Sequence, residues 1–157
     1  MVNTDSQIPN AVVAEALKND KIDGFKDLTY IKREHTYRNS RFDIYYETPE
    51  VKGFIEVKGV TLEENGVAIF PDAPTERGTK HVHEMIEAVK EGYRGVIFFL
   101  IQMKGPHLFK PNWKMDKGFS EAVKLASKNG VEILAYDSII NRDEVVIGTP
   151  VKVDLTI

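Results

Sequence analysis

Apolar residues recur at helical spacing in three stretches of this chain and alternate, or run continuously, in several shorter ones. Val12, Val13, Ala16 and Leu17 share one helical face, with Glu15 and Lys18 on the charged side. This predicts a short amphipathic helix over Ala11–Asp20, introduced by Pro9 and Asn10 and ended before Gly24. Tyr30–Tyr37 reads as a strand. Arg41–Glu47 alternates, which predicts Phe42, Ile44 and Tyr46 on one side and Arg41, Asp43, Tyr45 and Glu47 on the other. Thr48-Pro49-Glu50-Val51 has proline where a type I turn favours it. Gly53–Gly59 follows as a strand, with Phe54, Glu56 and Lys58 on one side and Ile55 and Val57 on the other. Val67–Phe70 is a short extended segment before the loop 71–74.

Thr75 has the chemistry of a helix N-cap, and the helix it opens, about Glu76–Glu91, carries a stripe of Val82, Met85, Ile86 and Val89. Val96–Ile101 is apolar at every position, as expected of a central strand covered on both faces. Asp116–Asn129 predicts a further amphipathic helix, with Gly130 just past its end. Val131–Tyr136 reads as a strand, and Val145–Ile157 as a terminal strand or hairpin. The order predicts an α/β fold with a mixed central β-sheet flanked by helices, its first three strands forming an antiparallel meander.

Composition narrows the function classes. At 157 residues, with 42% apolar and 29% charged residues, residues 1–157 read as a single domain. The absence of cysteine excludes disulfides and thiolate metal sites. No apolar run nears the roughly 20 residues that span a bilayer, and the N-terminus carries no signal-peptide pattern, so a cytoplasmic location without membrane contact is expected. A net charge of −3 means that any nucleic-acid surface must be a local patch.

The chemistry concentrates between Ser40 and Lys58. A hairpin turning on Pro49-Glu50 sets Asp43 opposite Glu56 and Arg41 opposite Lys58, with paired Cβ atoms about 4.5–5.5 Å apart. Two ionised carboxylates at about 5 Å repel by roughly 3 kcal/mol at an effective dielectric near 20. A divalent cation, a neighbouring base or protonation of one acid must offset this. Mg²⁺ (or Mn²⁺) suits Asp43 and Glu56, because it takes oxygen ligands and is commonly held by one or two carboxylates plus substrate phosphate. Lys58, on the same face, is placed to position water or to stabilise transition-state charge. Acid-x-Lys is a common tripeptide, and Glu50-Val51-Lys52 in the predicted turn is a second copy. Glu15 on the first helix is a candidate third acid, with Glu34 its rival. Arg77, Lys80 and His81 lie near a helix N-terminus, where phosphate is favoured. With Arg41 and Gln102, which ends the central strand, they are the candidate nucleic-acid contacts. His107, Phe109 and Trp113 lie among Lys104, Lys110 and Lys114 in a segment read as a loop. That mixture suits either single-stranded nucleic acid or loop anchoring.

RFD, IEVKGVTL and FPDAPTERGTKH, in that order, together with the amphipathic helix after them, resemble the sugar fermentation stimulation protein family, SfsA. The resemblance runs from about Val2 to the C-terminus. It implies a PD-(D/E)xK, restriction-endonuclease-like core in which Asp43 falls on the metal-binding aspartate and Glu56 and Lys58 on the E-x-K. Glu15 falls on the acid often supplied by the first helix, and Arg77, Lys80 and His81 match the family's TxRGxKH segment. It further implies DNA of unspecified strand form as partner, a link to regulation of maltose or other sugar metabolism, and a core that resembles nucleases. A homodimer is left open. Members usually begin with an OB-like β-barrel of about eighty residues, and this chain starts at or just after the place where that barrel would end. The functional expectation is a Mg²⁺-dependent phosphodiesterase acting on nucleic acid, or alternatively a non-catalytic DNA-binding regulator.

Overall fold

The computed structural model describes residues 7–157. In chain order its first elements are α1 (Gln7–Lys18), β1 (Tyr30–Tyr37), β2 (Ser40–Glu47), β3 (Lys52–Val60), β4 (Leu62–Glu64) and β5 (Val67–Phe70). They are followed by α2 (Glu76–Lys90), β6 (Arg94–Ile101), β7 (Leu108–Pro111) and α3 (Lys117–Lys128). β8 (Glu132–Ile140), β9 (Val145–Pro150) and β10 (Lys152–Val153) complete the chain. α1 starts a turn earlier than its apolar stripe predicts. Pro9 is tolerated there, because first-turn residues have no intrahelical use for an N–H.

The main sheet has six strands in the order β1-β2-β3-β6-β8-β9. β1, β2 and β3 form the expected antiparallel meander, β3, β6 and β8 are parallel, and β9 returns antiparallel to β8. The architecture is therefore α/β, a mixed central sheet flanked by helices. β6 holds its centre: Val96, Phe98 and Leu100 pack into the layer of α1, while Ile97, Phe99 and Ile101 pack into the layer of α2 and α3. All six are fully buried, which is why this strand is apolar at every position.

Three features depart from the alternating pattern. A second sheet, β10-β7-β5-β4, packs beside the first. Its β4–β5 hairpin turns at Asn65 and Gly66, both at positive φ, as a tight two-residue turn demands. β7 replaces the expected loop, and the terminal segment splits, with β9 joining the large sheet and β10 the small one.

The third departure lies in β1 and β2. Glu34 has a φ of 60°, and the β1–β2 ladder skips the Glu34/Asp43 position. The strands change faces there. Ile31, Ile44 and Tyr46 lie in the α1 layer, whereas Tyr37, Phe42, Tyr45 and Phe54 lie in the other. The expected grouping of Phe42 with Ile44 and Tyr46 is thus corrected, since strict alternation holds only while a ladder is regular.

Close packing around Tyr46 gives a direct test. A Cβ on Gly53 would meet the buried Tyr46 ring at 2.5 Å, whereas one on Gly118 would find only the Asp116 carboxylate at 3.5 Å. Gly53→Ala should therefore cost about 1–3 kcal/mol in urea unfolding. Gly118→Ala, in an exposed part of α3, should be neutral or stabilising by up to about 1 kcal/mol.

Candidate functional site

β2 and β3 pair from Glu47↔Lys52 to Ile44↔Ile55, in the register expected from the turn, and then the ladder stops. At the next position side chains take over from the backbone. Asp43 Oδ2 accepts the Val57 N–H at 2.7 Å, and the Asp43 N–H reaches Glu56 Oε1 at 3.3 Å. Beyond this point β2 continues on β1 and β3 on β6, so the sheet forks. The fork opens a cleft of about 640 Å³ lined by Asp43, Glu56 and Lys58. Arg41, Arg77, His81 and Gln102 line the same cleft. Gln102 approaches so closely that a Cβ on Gly59 would sit 2.6 Å from its Nε2.

The two carboxylates are held differently. Glu56 is only 3% exposed, and its Oε2 accepts both His81 Nδ1 at 2.6 Å and Lys58 Nζ at 3.0 Å. Burial pushes Glu56 up, but the His81 hydrogen bond and the Lys58 charge outweigh it and hold this carboxyl down at about 2. Asp43 moves the other way, raised to about 7, first by burial and then by the charge of Glu56, against the opposing Val57 N–H. Its Oδ1 accepts Asn10 Nδ2 at 2.9 Å. At neutral pH the pair thus carries a full charge on Glu56 and a contested one on Asp43.

This donor set fits a hard divalent cation. Both acids offer carboxylate oxygens, and the charge conflict that raises Asp43 is one that a cation relieves. Among the described residues no cluster of three or more His, Cys, Asp or Glu is placed to hold an ion alone. Water and a substrate phosphate would complete the ligands, as is usual for Mg²⁺.

Two sequence-predicted residues stand elsewhere. Glu15 is exposed and lines a separate groove with Val145, Val146 and Ile147. Five residues beyond Asn10, it lies about 140° around α1 and ~7.5 Å further along. Its rival Glu34 does line the cleft. Lys80 turns away as well, and its Nζ donates to the Asn39 carbonyl at 3.0 Å. His81 does lie in the cleft, but bonded to Glu56 and 7% exposed. The basic and aromatic segment is anchored: Phe109 is fully buried and stacks on Phe99 with ring centroids 4.3 Å apart.

Residues that sequence reasoning passed over also line the cleft, notably Asn10 and Asp72. Asn10 had a legible signal. It is in phase with Val13, Ala14 and Leu17, making it a polar residue on the buried stripe of α1, and it is 6% exposed. Asp72 lies in the FPDAP stretch already singled out by its resemblance.

A mixed sheet with Asp, Glu and Lys gathered where two strands part has the architecture of a restriction-endonuclease-like core. The family model described as the sugar fermentation stimulation protein RE domain (SfsA) matches residues 7–144, and the chain belongs to this family. It is 58% identical to a sugar fermentation stimulation protein homolog of Alkaliphilus oremlandii over 158 residues, covering 98% of this chain and 67% of that relative. A homolog of the same name from Clostridium botulinum (strain Langeland) is 49% identical over 156 residues, covering 99% of this chain and 68% of the relative. Pyrococcus furiosus SfsA, solved in complex with Ca²⁺, superimposes with a TM-score of 0.89 at 28% identity, over 96% of this chain and 65% of that one. The chain thus spans about two thirds of the length of these relatives. No helix among the described residues is long and apolar enough to cross a membrane.

The Asp43 shift makes a signed prediction for the metal-free protein. An acid whose folded value is raised from 3.8 to about 7 keeps its proton longer in the folded state, so stability falls as pH rises through that window. Asp43→Asn removes this cost while keeping an acceptor for the Val57 N–H. Urea unfolding at pH 8 should show the variant more stable by roughly 2–4 kcal/mol, with the advantage vanishing near pH 4. Saturating Mg²⁺ should raise the wild-type Tm and leave that of Asp43→Asn unchanged.

Proposed function

We propose that this domain binds DNA and hydrolyses its phosphodiester bonds with Mg²⁺ or Mn²⁺. The observation that carries this reading is the convergence of Asp43, Glu56 and Lys58 in the fork between β2 and β3, with Arg41 and Arg77 on the same cleft. A divalent ion held by Asp43 and Glu56 would supply charge stabilisation at phosphate and a bound water of lowered pKa. Asp43 and Glu56 contribute few enough ligands to leave room for water and substrate. Lys58 Nζ, fixed by Glu56 Oε2, sets a positive charge beside the site where negative charge develops. Arg41 and Arg77 are exposed and positioned to hold backbone phosphate. Gln102, at the end of β6, offers an uncharged polar contact. The family's description as an RE domain and the Ca²⁺ of the Pyrococcus relative support a hard-cation nuclease site.

The relatives' name, which points to sugar fermentation, favours a second reading in which the domain acts in regulation, binding DNA without cutting it. The two readings separate in one assay. The protein is incubated with single-stranded, duplex and branched DNA, and with RNA, in Mg²⁺ or Mn²⁺. Wild type should cleave DNA, and Asp43→Ala, Glu56→Ala and Lys58→Ala should each lose about 10²-fold or more in rate. DNA retention without metal-dependent cleavage would establish the second reading, and equal cleavage by all four proteins would exclude this cleft as the reacting site.

A further inference from the structure

We propose that His81 is a positioning residue for the ion site, one that decides which oxygen of Glu56 faces an ion, rather than a contact to nucleic acid. This inference rests on the reading of Asp43 and Glu56 as ion ligands. His81 lies on the second turn of α2, and its Nδ1 lies 2.6 Å from Glu56 Oε2 across the gap between helix and sheet. A carboxylate only accepts, so the imidazole donates through Nδ1. Lys58 Nζ reaches the same Oε2 at 3.0 Å. Two donors on one oxygen leave Oε1 as the less encumbered one, and Oε1 is the atom on the Asp43 side, where it meets the Asp43 N–H at 3.3 Å. The clamp therefore turns the open oxygen of Glu56 toward Asp43.

Burial separates this role from phosphate binding. His81 is 7% exposed, whereas Arg77, one turn earlier on the same helix face, is exposed. Residues four apart lie on one face, so both line the cleft, Arg77 open to solvent and His81 buried against Glu56. Ligating carboxylates are commonly fixed by such outer hydrogen bonds, and losing one typically costs 10–100-fold in metal affinity.

The test measures Mn²⁺ binding to the intact protein by calorimetry and by the paramagnetic signal of free Mn²⁺, with duplex DNA binding measured separately without divalent ion. Wild type, His81→Ala, His81→Leu, His81→Asn and the exposed control His83→Ala are compared, each with a thermal melt. His81→Leu fills the buried space without a donor, which keeps the test valid if His81→Ala does not fold. His81→Asn returns an N–H near the position of Nδ1. The expected result is at least about a tenfold loss of Mn²⁺ affinity in His81→Ala and His81→Leu, recovery to within about threefold of wild type in His81→Asn, and no change in His83→Ala. Metal-free DNA binding should be unaltered in all of them. Unchanged Mn²⁺ affinity in His81→Leu, or a loss confined to DNA binding, overturns the inference while leaving the ion site intact. Absence of Mn²⁺ binding by wild type overturns the ion reading and this inference with it.

Discussion

One exchange of hydrogen bonds governs the functional half of this molecule. Where the β2–β3 ladder ends, the Val57 N–H turns to the Asp43 carboxylate at 2.7 Å, and Glu56 Oε1 takes the Asp43 N–H. Each backbone donor stays satisfied, as burial requires. The strands are nonetheless released from each other, so β2 follows β1 and β3 follows β6. A continuous ladder would have left no cleft and would have spread the same side chains over a closed sheet surface.

The rest of the fold fixes that fork in place. β6, buried on both faces, anchors β3 from the far side. α1 reaches in from one layer with Asn10 on Asp43, and α2 from the other with His81 on Glu56. The carboxylates are therefore gripped from opposite sides of the sheet. Placing two acids there costs stability, and the elevation of Asp43 to about 7 is the local expression of that cost. An arrangement that strains charge unless a cation is added is better explained by function than by stability.

Much of this was legible in the sequence, and the failures have identifiable causes. The Pro49-Glu50 turn and two alternating segments sufficed to set the β2–β3 register, since Ile44 does pair with Ile55 and Tyr45 with Phe54. The shared face of Phe54, Glu56 and Lys58 followed from the same alternation. The face switch at Glu34 and Asp43 was not legible, because a non-glycine residue at positive φ leaves no mark in a polar–apolar pattern. Glu15 fitted a motif by type but not by helical phase, and the residue that α1 delivers is the amide of Asn10. Lys80 and His81 are neighbours in sequence yet point differently, one to the Asn39 carbonyl and one to Glu56. Adjacent helical positions are about 100° apart. β4 and β7 lack the unbroken apolar run that marks the equally short β5: Leu62-Glu63-Glu64 has one apolar residue, and Leu108–Pro111 ends on Lys110 and Pro111.

The proposed chemistry needs a single ion shared by the two carboxylates that the forked sheet brings together. The most direct test is a crystal of the protein grown with Mn²⁺ and recorded at the manganese absorption edge. One strong anomalous peak is expected in the fork, within about 2.5 Å of an oxygen of Asp43 and of an oxygen of Glu56. A fully occupied Mn²⁺ bound elsewhere on the chain, with the fork empty at saturating ion, would contradict that chemistry.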